Sequence, residues 1–245
     1  PEGVIADKVG NLYGTTQVGG TYNCGTVFDL APDGALTTLY SFTCGNDGWN
    51  PHGLIRDQSH NLYGTTLWGG ADGLGGTVFK LAPDGTLITL HSFAGGSDGT
   101  HPHSGVIMDE AGDLYGTTDY GGAYGWGTIF KLAPDGTETV LHSFANSDGI
   151  VPNGLMMDEA GNLYGMTQAD GDGGDGTVYK LAPDGIYTVL HSFRTNKDGG
   201  RPVGTLIMGH GGKLYGTAST GGPHGGGTVF RLNPPDSAAA AEDER

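Results

Sequence analysis

NLYGTT at residues 61–66, GTVFKLAPDG at 76–85 and LITLHSF at 87–93 form one block that the chain repeats with small changes. NLYGTT starts at Asn11 and Asn61, then returns as DLYGTT from Asp113, NLYGMT from Asn162 and KLYGTA from Lys213, at spacings of 50, 52, 49 and 51 residues. GTVFDL at Gly25, GTVFKL at Gly76, GTIFKL at Gly127, GTVYKL at Gly176 and GTVFRL at Gly227 follow in step. APDG recurs at Ala31, Ala82, Ala133 and Ala182, and LYSF at Leu39 or LHSF at Leu90, Leu141 and Leu190 closes four of the five copies. A strict period near 50 residues marks a repeat architecture.

Each copy reads as four short strands, a to d. Strand a is an apolar run such as Leu54-Ile55 or 105–108, and strand b is NLYGTT. The D-x-x-G-N between them carries hairpin-turn residues. Strand c is GTVFKLA, P-D-G supplies the next turn, and strand d is TVLHSF. Four strands per copy match a propeller blade. The expected fold is therefore all-β: a five-bladed β-propeller with blades at about 1–45, 46–95, 96–146, 147–195 and 196–235. The fifth copy has no LHSF, so the last blade is expected to lack its outer strand. Residues 236–245 read as a flexible acidic tail. A monomeric ring closed without strand exchange is the expected assembly; its rival completes the open blade with a strand from another chain.

Composition fits this reading. Glycine supplies 49 of 245 residues, which excludes a helical bundle because each interior glycine costs a helix about 1 kcal/mol. Apolar runs are too short to span a membrane. Eleven basic residues against 27 acidic ones leave a net charge of −16, which repels nucleic acid. The chain begins at Pro1 with neither an initiator methionine nor a signal peptide, and is expected to be a processed or trimmed product.

The D-x-x-G-N-L-Y and P-D-G pattern resembles the NHL-type propeller repeat. The fuller pattern, NLYGTT, GG, GTVFKLAPDG, LHSF and DG, resembles the GloVer tandem-repeat family of bacterial extracytoplasmic proteins, over residues 4–232. That resemblance implies a propeller-like fold and an exported location, secreted or periplasmic. It implies no activity.

If strand a is innermost, the a–b and c–d turns share one face, and the b–c and d–a loops share the other. The first set is nearly uniform and reads as scaffold; the second diverges between copies and is the place for function. Its d–a loops hold Trp49, His52, His101, His103, Asn153 and Arg201, and its b–c loops hold Trp68, Tyr120, Tyr124, Trp126 and His224. His52, His103 and Asn153, with Glu2, are expected to rim a central channel. Aromatic faces stack on the C–H faces of sugar rings, while amides and carboxylates take the hydroxyls. The leading expectation is therefore one asymmetric carbohydrate site.

A glycan-cleaving enzyme is the alternative, with Glu2 and Asp47 or Asp98 as candidate carboxylates for acid–base work. No GxSxG, HExxH or P-loop motif is present. A structural surface repeat without a small ligand is the third reading. The run ADGDGGDG (169–176) offers Asp170, Asp172 and Asp175 to calcium, although Leu181 stands where a calcium loop carries its bidentate glutamate. His52, His103 and His224 form a second candidate metal set, for zinc or copper. Cys24 and Cys44 lie in loops that the fold would bring together and are expected to form a disulfide, which fits an oxidising compartment.

Overall fold

The computed structural model describes residues 3–71, 73–195 and 197–234. Glu2 and the 236–245 tail lie outside the described residues. The chain divides into two compact units, Pro1–Ser143 and Phe144–Arg245.

The first unit contains three antiparallel sheets in sequence order. The first is β1 (Ile5–Ala6), β2 (Leu12–Thr16), β3 (Thr26–Leu30) and β4 (Leu36–Ser41); the second is β5 (Trp49–Arg56), β6 (Leu62–Trp68), β7 (Thr77–Leu81) and β8 (Leu87–Ser92). The third is β9 (Ile107–Met108), β10 (Leu114–Thr118), β11 (Thr128–Leu132) and β12 (Glu138–Ser143). The second unit holds β13 (Ile150–Pro152), β14 (Met156–Met157), β15 (Leu163–Ala169), β16 (Thr177–Leu181) and β17 (Tyr187–Ser192), then β18 (Gly200–Met208), β19 (Leu214–Thr220) and β20 (Thr228–Leu232). This last sheet has three strands among the described residues.

The repeated residues have repeated tasks. In D-x-x-x-N-x-Y, Asp57 accepts hydrogen bonds from the Asn61 backbone N–H (2.8 Å), the Asn61 amide (2.7 Å) and the Tyr63 hydroxyl (3.1 Å). Asp158 is clasped the same way by Asn162 and Tyr164. The P-D-G turns close through their aspartates: Asp84 Oδ1 accepts from Thr86 N at 2.9 Å and Asp135 Oδ1 from Thr137 N at 2.9 Å. The two threonines that begin and end the b–c loop meet through their hydroxyls, as in Thr66 with Thr77 and Thr118 with Thr128, both at 2.9 Å.

The glycine of L-Y-G is required by packing. A Cβ on Gly116 would stand 2.5 Å from the Phe130 ring, and one on Gly14 would stand 2.5 Å from Phe28. That space lets the strand-c aromatic lie across strand b. The LHSF phenylalanine of one copy then meets the strand-c aromatic of the next, edge to face. Ring separations are 5.2 Å for Phe42–Phe79, 5.1 Å for Phe93–Phe130, 5.3 Å for Phe144–Tyr179 and 4.9 Å for Phe193–Phe230. Such pairs combine large apolar burial with favourable ring geometry.

Backbone bonds add to this interlock. Asn50 N donates to Cys24 O at 3.0 Å, His101 N to Gly75 O at 2.8 Å and Arg201 N to Asp175 O at 2.8 Å. Each donor residue precedes a proline and has a left-handed φ, at 60°, 61° and 52°. Proline disfavours helical conformations in the residue before it, so the inter-sheet bond is what holds this otherwise uncommon geometry.

Two expectations about loops need correction. Trp49, His52 and Arg201 lie within strands β5 and β18, and Trp68 ends strand β6. Strand a begins earlier than its apolar core because it pairs with the far end of strand b: Trp49 opposes Trp68, and Gly200 opposes Thr220. By contrast, strand a of the third copy is only Ile107–Met108.

Candidate functional site

At the b–c and d–a end of the first unit, side chains from two adjacent sheets form a continuous aromatic run. The cross-strand pair Trp49–Trp68 stacks at 5.7 Å with 20° between planes. His101 stands perpendicular to Trp68 at 4.1 Å and perpendicular to Tyr120 at 5.6 Å. Local pairing explains the order. Thr100 bridges Tyr120, so His101 sits beside the end of β10 and reaches back to β6 of the preceding sheet. Both tryptophans and His101 are half-buried, whereas Tyr120 is exposed.

His101 Nδ1 lies 3.0 Å from the Thr100 hydroxyl, while its buried Nε2 has no hydrogen-bond partner. Burial holds its imidazole below the ordinary histidine pKa, which favours the neutral ring. A buried polar atom without a partner calls for an explanation, and here it lies inside the aromatic run.

Asp119 immediately precedes Tyr120. Burial pushes its carboxyl up to about 7. His103 Nδ1 is 3.8 Å away, and His103 in turn stands edge-on to His52 with ring centroids 4.7 Å apart. The structure therefore joins Trp49, Trp68, His101 and Tyr120 in one run, and His52, His103 and Asp119 in a neighbouring chain of contacts. His52 is fully buried and does not form an accessible rim. The inward step of β5, with a register shift between His52 and Ile55, directs it against His103.

The other expected site residues have different surroundings. Tyr124 is exposed, and Trp126 is half-buried in a bridge to Gly121. Asp47 accepts from Thr43 N (2.8 Å), Thr43 Oγ1 (2.5 Å), Gly45 N (3.3 Å) and the Tyr40 hydroxyl (3.1 Å), and Asp98 accepts from Ala94 N at 3.0 Å. These candidate catalytic carboxylates are loop clasps, and their counterparts Asp148 and Asp198 bind Ala145 N and Arg194 N in the same manner. Glu2 lies outside the described residues.

Within the second unit, buried Asn153 donates to Pro202 O at 2.8 Å and accepts from Gln168 at 3.0 Å, a tie between sheets. Arg201 is exposed, and its charge contributes, after the hydrogen bonds from Thr195, to holding the Asp175 carboxyl below its usual range. Asp170 accepts from the Asn146 amide, Asp175 from Thr195 N, and Asp172 is exposed. Among the described residues, no group of three or more His, Cys, Asp or Glu side chains is arranged to hold a metal. Asp170 and Asp175 are taken up by loop donors and Asp172 faces solvent; of the expected histidine set, His52 is buried against His103 in the first unit and His224 is exposed in the second.

Two acids stand out in the structure that the sequence does not single out. Asp119 stood among several loop aspartates with nothing to mark its burial. Glu138 did carry a signal: it opens strand d where the other copies have Leu36, Leu87 and Tyr187. Burial, then the Asp98 charge, pushes its carboxyl up to about 6. Cys24 and Cys44 are joined in a disulfide, with Cα atoms 5.5 Å apart.

The chain matches the family model of the Gloeobacter/Verrucomicrobia repeat over residues 1–159 and 75–241. No curated protein matches it by sequence. Among solved structures, it is similar to a candidate gluconolactonase with a TM-score of 0.52 and 19% identity, covering 96% of this chain and 83% of that one. It is also similar to a candidate 6-phosphogluconolactonase from Bacteroides uniformis, with a TM-score of 0.59, 18% identity and coverage of 95% and 68%. The extracellular domain of a candidate hybrid two-component system from B. thetaiotaomicron gives 0.61 at 15% identity, covering 98% of this chain but 28% of that protein. These likenesses are of fold, and the repeat fold they share is of the β-propeller type. No helix among the described residues is long and apolar enough to cross a membrane.

Proposed function

The chain belongs to the Gloeobacter/Verrucomicrobia repeat family, and from that premise we propose that it is an extracytoplasmic carbohydrate-binding protein. The observation that carries this reading is the run Trp49–Trp68–His101–Tyr120, half-buried at one end and exposed at the other. Ligand sites combine apolar and aromatic walls with a few placed polar groups. Here the platform is aromatic, and the nearby polar groups are His101, His103 and Asp119. The acidic surface favours a neutral polysaccharide over an anionic one. The disulfide supports an oxidising compartment, and the extracellular neighbour agrees with it. The five sheets are read as five blades of one domain over residues 1–235, because the repeat spacing continues unbroken through both units.

Trp68→Ala and Tyr120→Ala are expected to weaken binding to a neutral polysaccharide at least about tenfold, as loss of an aromatic anchor does. Calorimetric titration against a polysaccharide panel measures this. Tyr120 is exposed, so its variant separates binding from folding. Silence across the panel, or affinity unchanged in both variants, would overturn the reading in favour of a structural surface repeat.

Asp119 favours a second reading, a glycan-cleaving enzyme at the same place. A carboxyl held near neutrality beside a histidine suits general acid–base work. Release of reducing ends that Asp119→Asn abolishes while binding persists would support it. The elevated carboxyl also has a stability consequence. Because the folded value, about 7, lies above the ordinary one, Asp119 contributes fully below about pH 4 and loses that contribution as pH rises toward 7. Asp119→Asn is therefore expected to gain stability relative to the unsubstituted protein between those pH values. Urea midpoints measured across this range should diverge; parallel curves would count against the buried acid.

A further inference from the structure

Strand β20 has strand β19 on one side and, among the described residues, no strand on the other. The corresponding strand in each other sheet is covered. Val229 is 81% exposed, whereas its counterparts Val27, Val78 and Ile129 are at 0% and Val178 at 1%. Beside this edge is a cavity of about 130 Å³, lined by Val178, His191, Phe193, Phe230 and Leu232 with Asp198 and Arg231 at hand.

The chain itself shows four times what fits such an edge. β4, β8, β12 and β17 are all of the L-x-x-L-[HY]-S-F type, with Glu138 or Tyr187 replacing the first leucine in two of them. Each pairs antiparallel in one register. In the fourth sheet Thr177 opposes Ser192, Val178 opposes His191, Tyr179 opposes Val189 and Leu181 opposes Tyr187, with a register shift after Val178. The same shift falls after Val27, Val78 and Ile129. The skipped residue is the leucine before His or Tyr, and Leu39, Leu90 and Leu190 pack against core clusters. The phenylalanine that follows is buried in every copy. β20 retains the whole acceptor pattern, T-V-F-R-L, and Phe230 already meets Phe193 from the preceding copy. Residues 233–245 contain no second L-x-x-L-H-S-F.

We propose that β20 is a strand-acceptor site whose occupant is an extended L-x-x-L-H-S-F segment from a repeat unit outside residues 1–245. The occupant adds antiparallel to β20, with its serine opposite Thr228, its histidine opposite Val229 and its first leucine opposite Leu232. Main-chain bonds supply the ladder, and the leucine and phenylalanine pockets supply selectivity, as in other strand-addition interfaces. The open edge would otherwise invite unspecific pairing.

A fluorescent peptide TLITLHSFAG, copied from residues 86–95, tests this by anisotropy against the purified chain. Saturable one-to-one binding is expected, and a scrambled peptide should not bind. Val229→Lys should weaken binding at least tenfold. The substitution is at an exposed side chain and leaves the core intact; Val18→Lys, also exposed but in the other unit, should leave binding unchanged. No saturable binding, or equal binding by Val229→Lys, overturns the proposal. So does a dimer that Val229→Lys dissociates, since a second copy would then fill the edge. Protection of β20 amides from hydrogen exchange in the peptide-free monomer would show the edge filled from within, and would equally overturn it.

Discussion

Phe93→Ala should cost the fold about 3–5 kcal/mol, the range for removing a large aromatic from a packed core. Phe93 has no exposed surface, and its ring meets Phe130 at 5.1 Å and His91 at 4.6 Å. Around it lie Val78, Val106, Leu114 and Leu132, drawn from two consecutive sheets. Its backbone N–H donates to Gly76 O at 3.0 Å, which fixes the ring at the junction. Little can collapse into the gap, because ladder pairing on both sides holds the sheets in place. Ile88→Ala, one strand position from the core and 48% exposed, should stay within about 0.5 kcal/mol. Chemical denaturation of both variants measures the contrast. A loss below about 1 kcal/mol for Phe93→Ala would mean that the sheets do not depend on this interlock.

Wherever the residue types and their spacing determine the local geometry, the sequence reading and the structure coincide. Strands b, c and d occur where NLYGTT, GTVFKL and TVLHSF stand, because alternation, P-D-G and the Asp57-type clasp are short-range determinants. The DG aspartates Asp47, Asp98, Asp148 and Asp198 recur at one position, and each accepts from the backbone of its own loop. The start of strand a was not legible. Its pairing with strand b depends on whether the residue after DG can oppose the end of b, as Trp49 does with Trp68 and Ile150 with Ala169. Nothing local marks that partner. Residue environments were less legible still. His52 and His103 look alike in sequence, yet one is fully buried and the other is accessible. Asp119 differs from Asp170 only in what covers it. The aromatic run illustrates both sides: its members could be named as a group in divergent loops, but the order Trp49, Trp68, His101, Tyr120 comes from cross-strand pairing and from contact with the next sheet.

Loss of the Cys24–Cys44 bond should cost about 3 kcal/mol, the chain-entropy value for closing a loop of this size, given a separation of 20 residues. The bond clips the open end of the β3–β4 hairpin, since Cys24 precedes Thr26 and Cys44 follows Ser41. It also steadies the link to the next sheet, because Cys24 O accepts from Asn50 N, one residue after Trp49. Reduction is the cleaner perturbation. It keeps both sulfur atoms, so the packing around buried Cys24 changes little and the measured loss reports the cross-link. The double variant Cys24→Ala/Cys44→Ala removes the sulfurs as well and should lose at least as much. The discriminating result is the response to dithiothreitol: the unsubstituted protein should be destabilised by it and the double variant unaffected. Equal urea midpoints with and without reductant in the unsubstituted protein would show that the bond does not restrain the unfolded chain. If the expected loss is found, a reducing compartment would raise the unfolded fraction without altering the Trp49–Trp68 pair in the folded chain, because the cross-link acts on the unfolded state.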